Sequence, residues 1–159
     1  MPRIEIETLI KNDSIRIVFD LARSIDLHKI STKKTKEEAI AGKTSGLISI
    51  NETVTWRAKH LGFYHTLTSK ITDFNEPTFF ADEMQKGIFK SFRHEHYFKQ
   101  ECSFIILKDI FEYRSPYGFI GRIVDALFLK SYMRKFLQDR NKVIKEYAES
   151  DLWKSILKS

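Results

Sequence analysis

Two histidines two positions apart, His94 and His96, stand in the run Phe92-Arg93-His94-Glu95-His96-Tyr97-Phe98, and Asp109 stands in the next such run, from Ile105 to Tyr113. Alternation of period two places Phe92, His94, His96 and Phe98 on one face of a strand, and Ile105, Leu107, Asp109, Phe111 and Tyr113 on one face of the next. A turn centred on Glu101-Cys102 would set Phe98 beside Ile105, His96 beside Leu107, His94 beside Asp109 and Phe92 beside Phe111. Imidazoles and a carboxylate set in an apolar wall have three uses. They can satisfy one another as structure, give a ligand a polar handle, or pass a proton as general acid and base. Two histidines at this spacing can also ligate zinc or iron. That would need a third ligand, from Asp109 or from His65 on a neighbouring hairpin, and no metal or other cofactor is assigned.

The elements that must position these residues are legible in order. Residues 3 to 10 alternate, with Ile4, Ile6 and Ile10 on one side, and read as a strand. Asp13 or Ser14 can cap a helix whose Ile15, Val18, Phe19 and Ala22 share one face, and a second short helix runs through Ile25, Leu27 and Ile30. A weak strand is expected near 35 to 41. Strands through Val54, Trp56 and Ala58 and through Phe63 to Ile71 form a hairpin broken at Gly62. Thr78 to Met84, Phe89 to Phe98 and Phe104 to Tyr113 follow as further strands, with a turn at Lys86-Gly87. From Arg122 onward there is no Pro or Gly, and Ile123, Leu127, Met133, Phe136, Leu137, Ile144 and Tyr147 mark a long helix. The order predicts an α+β fold with an antiparallel meander and the helix on one face of it. Residues 1 to 150 read as one domain and 151 to 159 as a C-terminal extension that docks or frays.

Composition narrows the classes of function. With 159 residues, 42% hydrophobic and 13% aromatic, the chain has enough apolar bulk for one core and too much for a disordered segment. Its single cysteine, Cys102, excludes an internal disulfide and any zinc site with two thiolates from one chain. The charged N-terminal segment does not read as a signal peptide, and no run reaches the roughly 18 apolar residues of a membrane span, so a cytoplasmic protein is expected. The net charge of +6 is carried partly by Lys29, Lys33, Lys34, Lys36 and Lys43. Lys130, Arg134, Lys135, Arg140, Lys142 and Lys145 on the long helix carry more of it, and both groups read first as solvated faces. Transient attraction to an anionic membrane surface is a lesser expectation, and no nucleic-acid partner is expected because the aromatics alternate into the core. There is no nucleophilic-serine motif, dinucleotide fingerprint or phosphate loop.

The element order, with the segments Val18 to Arg23, Thr44 to Ile48, Val54 to Ala58, Phe92 to Phe98 and Asp109 to Pro116, resembles the SRPBCC superfamily of helix-grip proteins. That superfamily includes START lipid-transfer domains, the major birch pollen allergen and polyketide cyclase/dehydratase-like proteins. The chain is similar in particular to bacterial ligand-binding SRPBCC domain proteins, some of them labelled cell-division inhibitors. The resemblance implies a curved sheet of about seven strands wrapped around the C-terminal helix, with a hydrophobic cavity between them. It implies no particular reaction. The expected function is binding or transport of a hydrophobic small molecule, a lipid, isoprenoid or polyketide-like compound. The residues expected around it are Trp56, Phe92, His94, His96, Asp109, Phe111, Tyr113 and Met133. One alternative is a polyketide cyclase/dehydratase-like enzyme using His94 and Asp109 as a proton-transfer pair, and another is a ligand-responsive interaction module.

Overall fold

The structure is a computed structural model and describes residues 1–157. Strand β1 (Arg3–Lys11) buries Ile4, Ile6 and Ile10 on one side, as its alternation requires. Helix α1 (Ile15–Ala22) is capped by Ser14, whose hydroxyl accepts from the Ile17 amide, and α2 (Ile25–Ser31) by Ser24, which accepts from Leu27. The two short helices plug one end of the sheet. Phe19 of α1 meets Phe74, Phe80 and Phe98 edge-on, with ring centroids 5.4, 5.6 and 5.2 Å away.

The weak strand expected near 35 to 41 begins later. Residues 33–35 make a single 3-10 turn, Lys36 takes a left-handed conformation, and β2 spans Glu38–Gly42. The remaining strands are β3 (Thr53–His60), β4 (Phe63–Asn75), β5 (Phe79–Lys86), β6 (Ser91–Glu101) and β7 (Phe104–Arg114). All neighbours pair antiparallel in the order β1-β7-β6-β5-β4-β3-β2, so β2 to β7 form the meander and β1 adds to its far edge.

The β6–β7 register differs from expectation by two residues. The turn centres on Cys102-Ser103, with Cys102 at φ +54°, so His96 faces Asp109, His94 faces Phe111 and Phe92 faces Tyr113. A shift of two preserves every side chain's face, and the inward set therefore remains inward. On the convex face, Ile110 is buried between its register neighbours Glu5 and Glu95, which are ion-paired to Arg3, Lys108 and Arg93.

The C-terminal helix starts earlier than expected and is not uniform. It comprises α3 (Gly118–Val124), one π-helical stretch over Asp125–Leu129, and α4 (Lys130–Ala148). Helix α4 lays Leu137, Arg140, Asn141, Ile144 and Ala148 against the sheet. A last turn, α5 (Trp153–Ile156), packs Trp153 and Ile156 on the main core. No helix among the described residues is long and apolar enough to cross a membrane. A curved antiparallel sheet gripping a long C-terminal helix, with two short helices after the first strand, is the helix-grip architecture.

Candidate functional site

The inward side chains form two apolar clusters with a polar belt between them. One cluster holds Ile10, Phe98, Leu107 and Ile144; the other holds Ile4, Ile6, Phe92, Phe111, Tyr113 and Leu137. Between them, at one level, each element contributes a polar residue: Thr8 on β1, Asp109 on β7, His94 and His96 on β6, Asp82 on β5, and Arg140 and Asn141 on α4.

Asp109 is the hub of this belt and is wholly buried. Its Oδ1 accepts from His94 Nε2 at 2.8 Å, and its Oδ2 accepts from Asn141 Nδ2 at 2.5 Å. Asn141 also donates to the Thr8 hydroxyl at 3.2 Å. Arg140 stands 3.7 Å from Asp109 while donating to the Ala22 carbonyl and to the Asn141 side chain. His96 Nε2 lies 3.2 Å from Asp82 Oδ1, and the rings of His94 and His96 are 3.9 Å apart. His96 Nδ1 sits 2.9 Å from Asp109 Oδ1 at an angle that makes no hydrogen bond.

Burial disfavours ionised Asp109, but the contacts from His94 and His96 override it and hold the carboxyl well below its usual range. Burial works the other way on His94, assisted by neighbouring His96, and lowers it to about 4 despite Asp109. Burial also opposes ionisation of Asp82, and the His96 bond outweighs it to leave that carboxyl lowered. Near neutral pH, His94 is an uncharged imidazole facing an ionised carboxylate. A carboxylate only accepts, so Nε2 carries the proton and Nδ1 keeps a lone pair.

A cavity of about 380 Å³ lies between the sheet and α4. Its walls are mainly apolar, with Trp56, Leu67, Phe89, Phe92, Phe111, Met133 and Phe136 among them, and Asp82, His94, His96 and Arg140 form a polar floor. A second polar group stands at another part of the wall. His28 Nε2 is 2.6 Å from Glu37, His60 Nδ1 is 2.7 Å from the Tyr132 hydroxyl, and Trp56 packs on the His28 ring. Leu61 and Ile88, both exposed, mark where the cavity reaches the surface.

Six of the eight expected site residues, Trp56, Phe92, His94, His96, Phe111 and Met133, line this cavity. Asp109 does not line it; it lies behind the histidines and holds His94 through Nε2. Tyr113 is also absent from the wall. It is wholly buried in the second cluster, where its hydroxyl has no hydrogen-bond partner among the described residues, and burial and the nearby Asp125 carboxylate push its pKa up. The reading of Arg140 as part of a solvated helix face is corrected, since its guanidinium is buried over the belt. His65 lies near His60 and not with the β6 pair. Sequence reasoning missed Asp82. It stands two residues from inward Phe80, whose partner is His96, a relation that only the register reveals.

No protein-family model matches the sequence, and no curated protein matches it. Solved structures do match over nearly the whole chain. The protein TTHA0849 from Thermus thermophilus is similar with a TM-score of 0.75 and 16% identity, over 92% of this chain and 97% of that one. The ginseng major latex-like protein 151 from Panax ginseng aligns with a TM-score of 0.68 and 13% identity, over 94% and 98%. CV1439 from Chromobacterium violaceum aligns with a TM-score of 0.70 and 9% identity, over 94% and 99%. The helix-grip fold is thus shared across these proteins with few identical residues. Likeness at such identities defines the scaffold and leaves its use to the site.

Proposed function

We propose that the chain binds a largely apolar small molecule, of lipid, isoprenoid or polyketide size, in the cavity between the sheet and α4. The observation that carries this reading is an apolar-walled space of about 380 Å³, within the usual range for ligand pockets, whose floor holds a few convergent polar groups. The chemistry of the floor favours one kind of polar group on such a molecule. Neutral His94, with Nε2–H committed to Asp109, offers only a lone pair to the cavity, so it selects a hydroxyl or N–H donor on the ligand.

Proton transfer by the His94–Asp109 pair is a second reading, favoured by the 2.8 Å contact. An imidazole lowered to about 4 is a weak base near neutrality, far from the value that suits general acid–base work, and carriage is the stronger reading.

Native mass spectrometry of gently purified protein, followed by denaturing extraction, tests the proposal. The expected result is a released apolar compound bearing a hydroxyl or N–H group. His94→Gln, which keeps a donor for Asp109, should then weaken binding of that compound about tenfold while largely preserving the fold. Protein at its bare mass that also fails to enhance the fluorescence of an apolar dye would overturn the reading.

A further inference from the structure

The polar floor has the composition and spacing of a metal site that no comparison assigns. Asp82, His94 and His96 each place one ligand-type atom within 4.8 Å of the others. The closest pair, His96 Nε2 and Asp82 Oδ1, is 3.2 Å apart. Donor atoms about 2.0–2.2 Å from a shared zinc ion stand roughly 3.0–3.5 Å from each other, so this pair already has the required separation. The third donor, within 4.8 Å of the other two, must close in by up to roughly 1.3–1.8 Å.

Two unsatisfied nitrogens point to the same occupant. His94 is more than nine-tenths buried and lines the cavity, and among the described residues its Nδ1 has no hydrogen-bond partner. His96 Nδ1 is sealed in the interior and, among the described residues, has no hydrogen-bond partner although Asp109 Oδ1 is 2.9 Å away. A cation on His96 Nε2 leaves the proton on Nδ1, 2.9 Å from the Asp109 carboxylate, where charge rather than an aligned hydrogen bond holds it. The same cation on His94 Nδ1 takes the lone pair that otherwise meets a hydroxyl or N–H of the carried molecule, while Nε2–H remains on Asp109. Asp109 would orient both imidazoles, and Asn141 and Arg140 fix Asp109 in turn. Charge argues the same way, because the only ion-pair partner of Asp82 among the described residues is His96.

We propose that Asp82, His94 and His96 bind one divalent first-row transition-metal ion, with zinc the best match to two imidazoles and one carboxylate, at the floor of the cavity. The remaining coordination position opens toward the cavity, where a ligand oxygen or a water can complete it. The cluster of His28, Glu37 and His60 is the competing candidate in the same wall. There Glu37 already holds His28, and the Tyr132 hydroxyl holds His60 Nδ1.

The test is calorimetric titration of chelator-treated, delipidated protein with Zn²⁺, repeated with Co²⁺ as a visible-absorbing probe. One ion per chain is expected, with affinity at least tenfold weaker in Asp82→Asn and His94→Gln and unchanged in His28→Gln. Wild-type ¹⁵N ring spectra need no variant to fold, and zinc should move the His94 and His96 nitrogens and spare those of His28, His60 and His65. No binding of either ion, undiminished binding in both floor variants, or ring shifts confined to His28 and His60 would overturn the site. Because the protein is stripped of apolar compounds first, these outcomes are independent of whether the carriage proposal holds.

Discussion

At the scale of single residues, the His94–Asp109 pair ties structure to pH. Burial and His96 lower His94 to about 4 in the folded protein, against 6.5 for a free histidine. Between those values the unfolded chain binds a proton that the folded chain refuses, so stability falls as pH drops from about 6.5 to about 4 and the His94 contribution levels off below that. That contribution is roughly 3 kcal/mol. Asp82 and Asp109, both lowered on folding, continue the loss once pH falls below the ordinary carboxylate range. Denaturant midpoints from pH 7 to pH 4 should therefore decline, and the decline should be much shallower in His94→Gln. Parallel slopes in the two proteins would show that His94 is not the group responsible. The sequence carried part of this constellation. Period-two alternation put His94, His96 and Asp109 on one inward face, and an even register error left that face intact. Asp82 was not legible, because Phe79-Phe80-Ala81 is apolar on both sides of the strand and hides which face is inward.

At the scale of elements, the belt is a matter of alignment. Thr8, Asp82, Asp109 and Asn141 belong to four elements, and each stands between apolar residues of the two clusters. The strands were readable because one face of each repeats every second residue. The helix was less so. Arg140 and Asn141 interrupt the apolar stripe between Leu137 and Ile144, and a 3.6-residue pattern cannot say that a polar pair is buried by partners far away in sequence. The start of the helix depends on one close approach. A Cβ on Gly121 would meet the Pro116 carbonyl oxygen at 2.2 Å and Ser115 Cβ at 3.0 Å. Gly121→Ala should therefore destabilise by about 1–3 kcal/mol, although alanine is the better helix former. A melt showing no loss would mean that α3 shifts freely. Within α4, Ile144→Ala removes a wholly buried side chain of the main cluster and should cost about 2–5 kcal/mol, measurable by denaturant unfolding.

At the scale of the whole molecule, element order was enough for an antiparallel meander with the helix on one face, and the resemblance supplied the wrapping of the sheet around that helix. The space between sheet and helix was not readable from residue types, since Phe92 and Met133 would look the same in a filled core. The sheet order also has a consequence in time. Strand β1 is the first of the strands and its sheet neighbour β7 the last, with Arg3 opposite Glu112. As the chain leaves the ribosome, β2 to β6 can pair with their successors almost as they appear, while β1 must wait for nearly the entire sequence. The polar belt waits longer still, because Thr8, Asp109 and Asn141 come from the beginning, the later strands and the last long helix. Stalled nascent chains ending near residue 114 should leave the first ten residues open to protease, and chains carried past Ala148 should protect them. The polar floor is among the last parts of this protein to form.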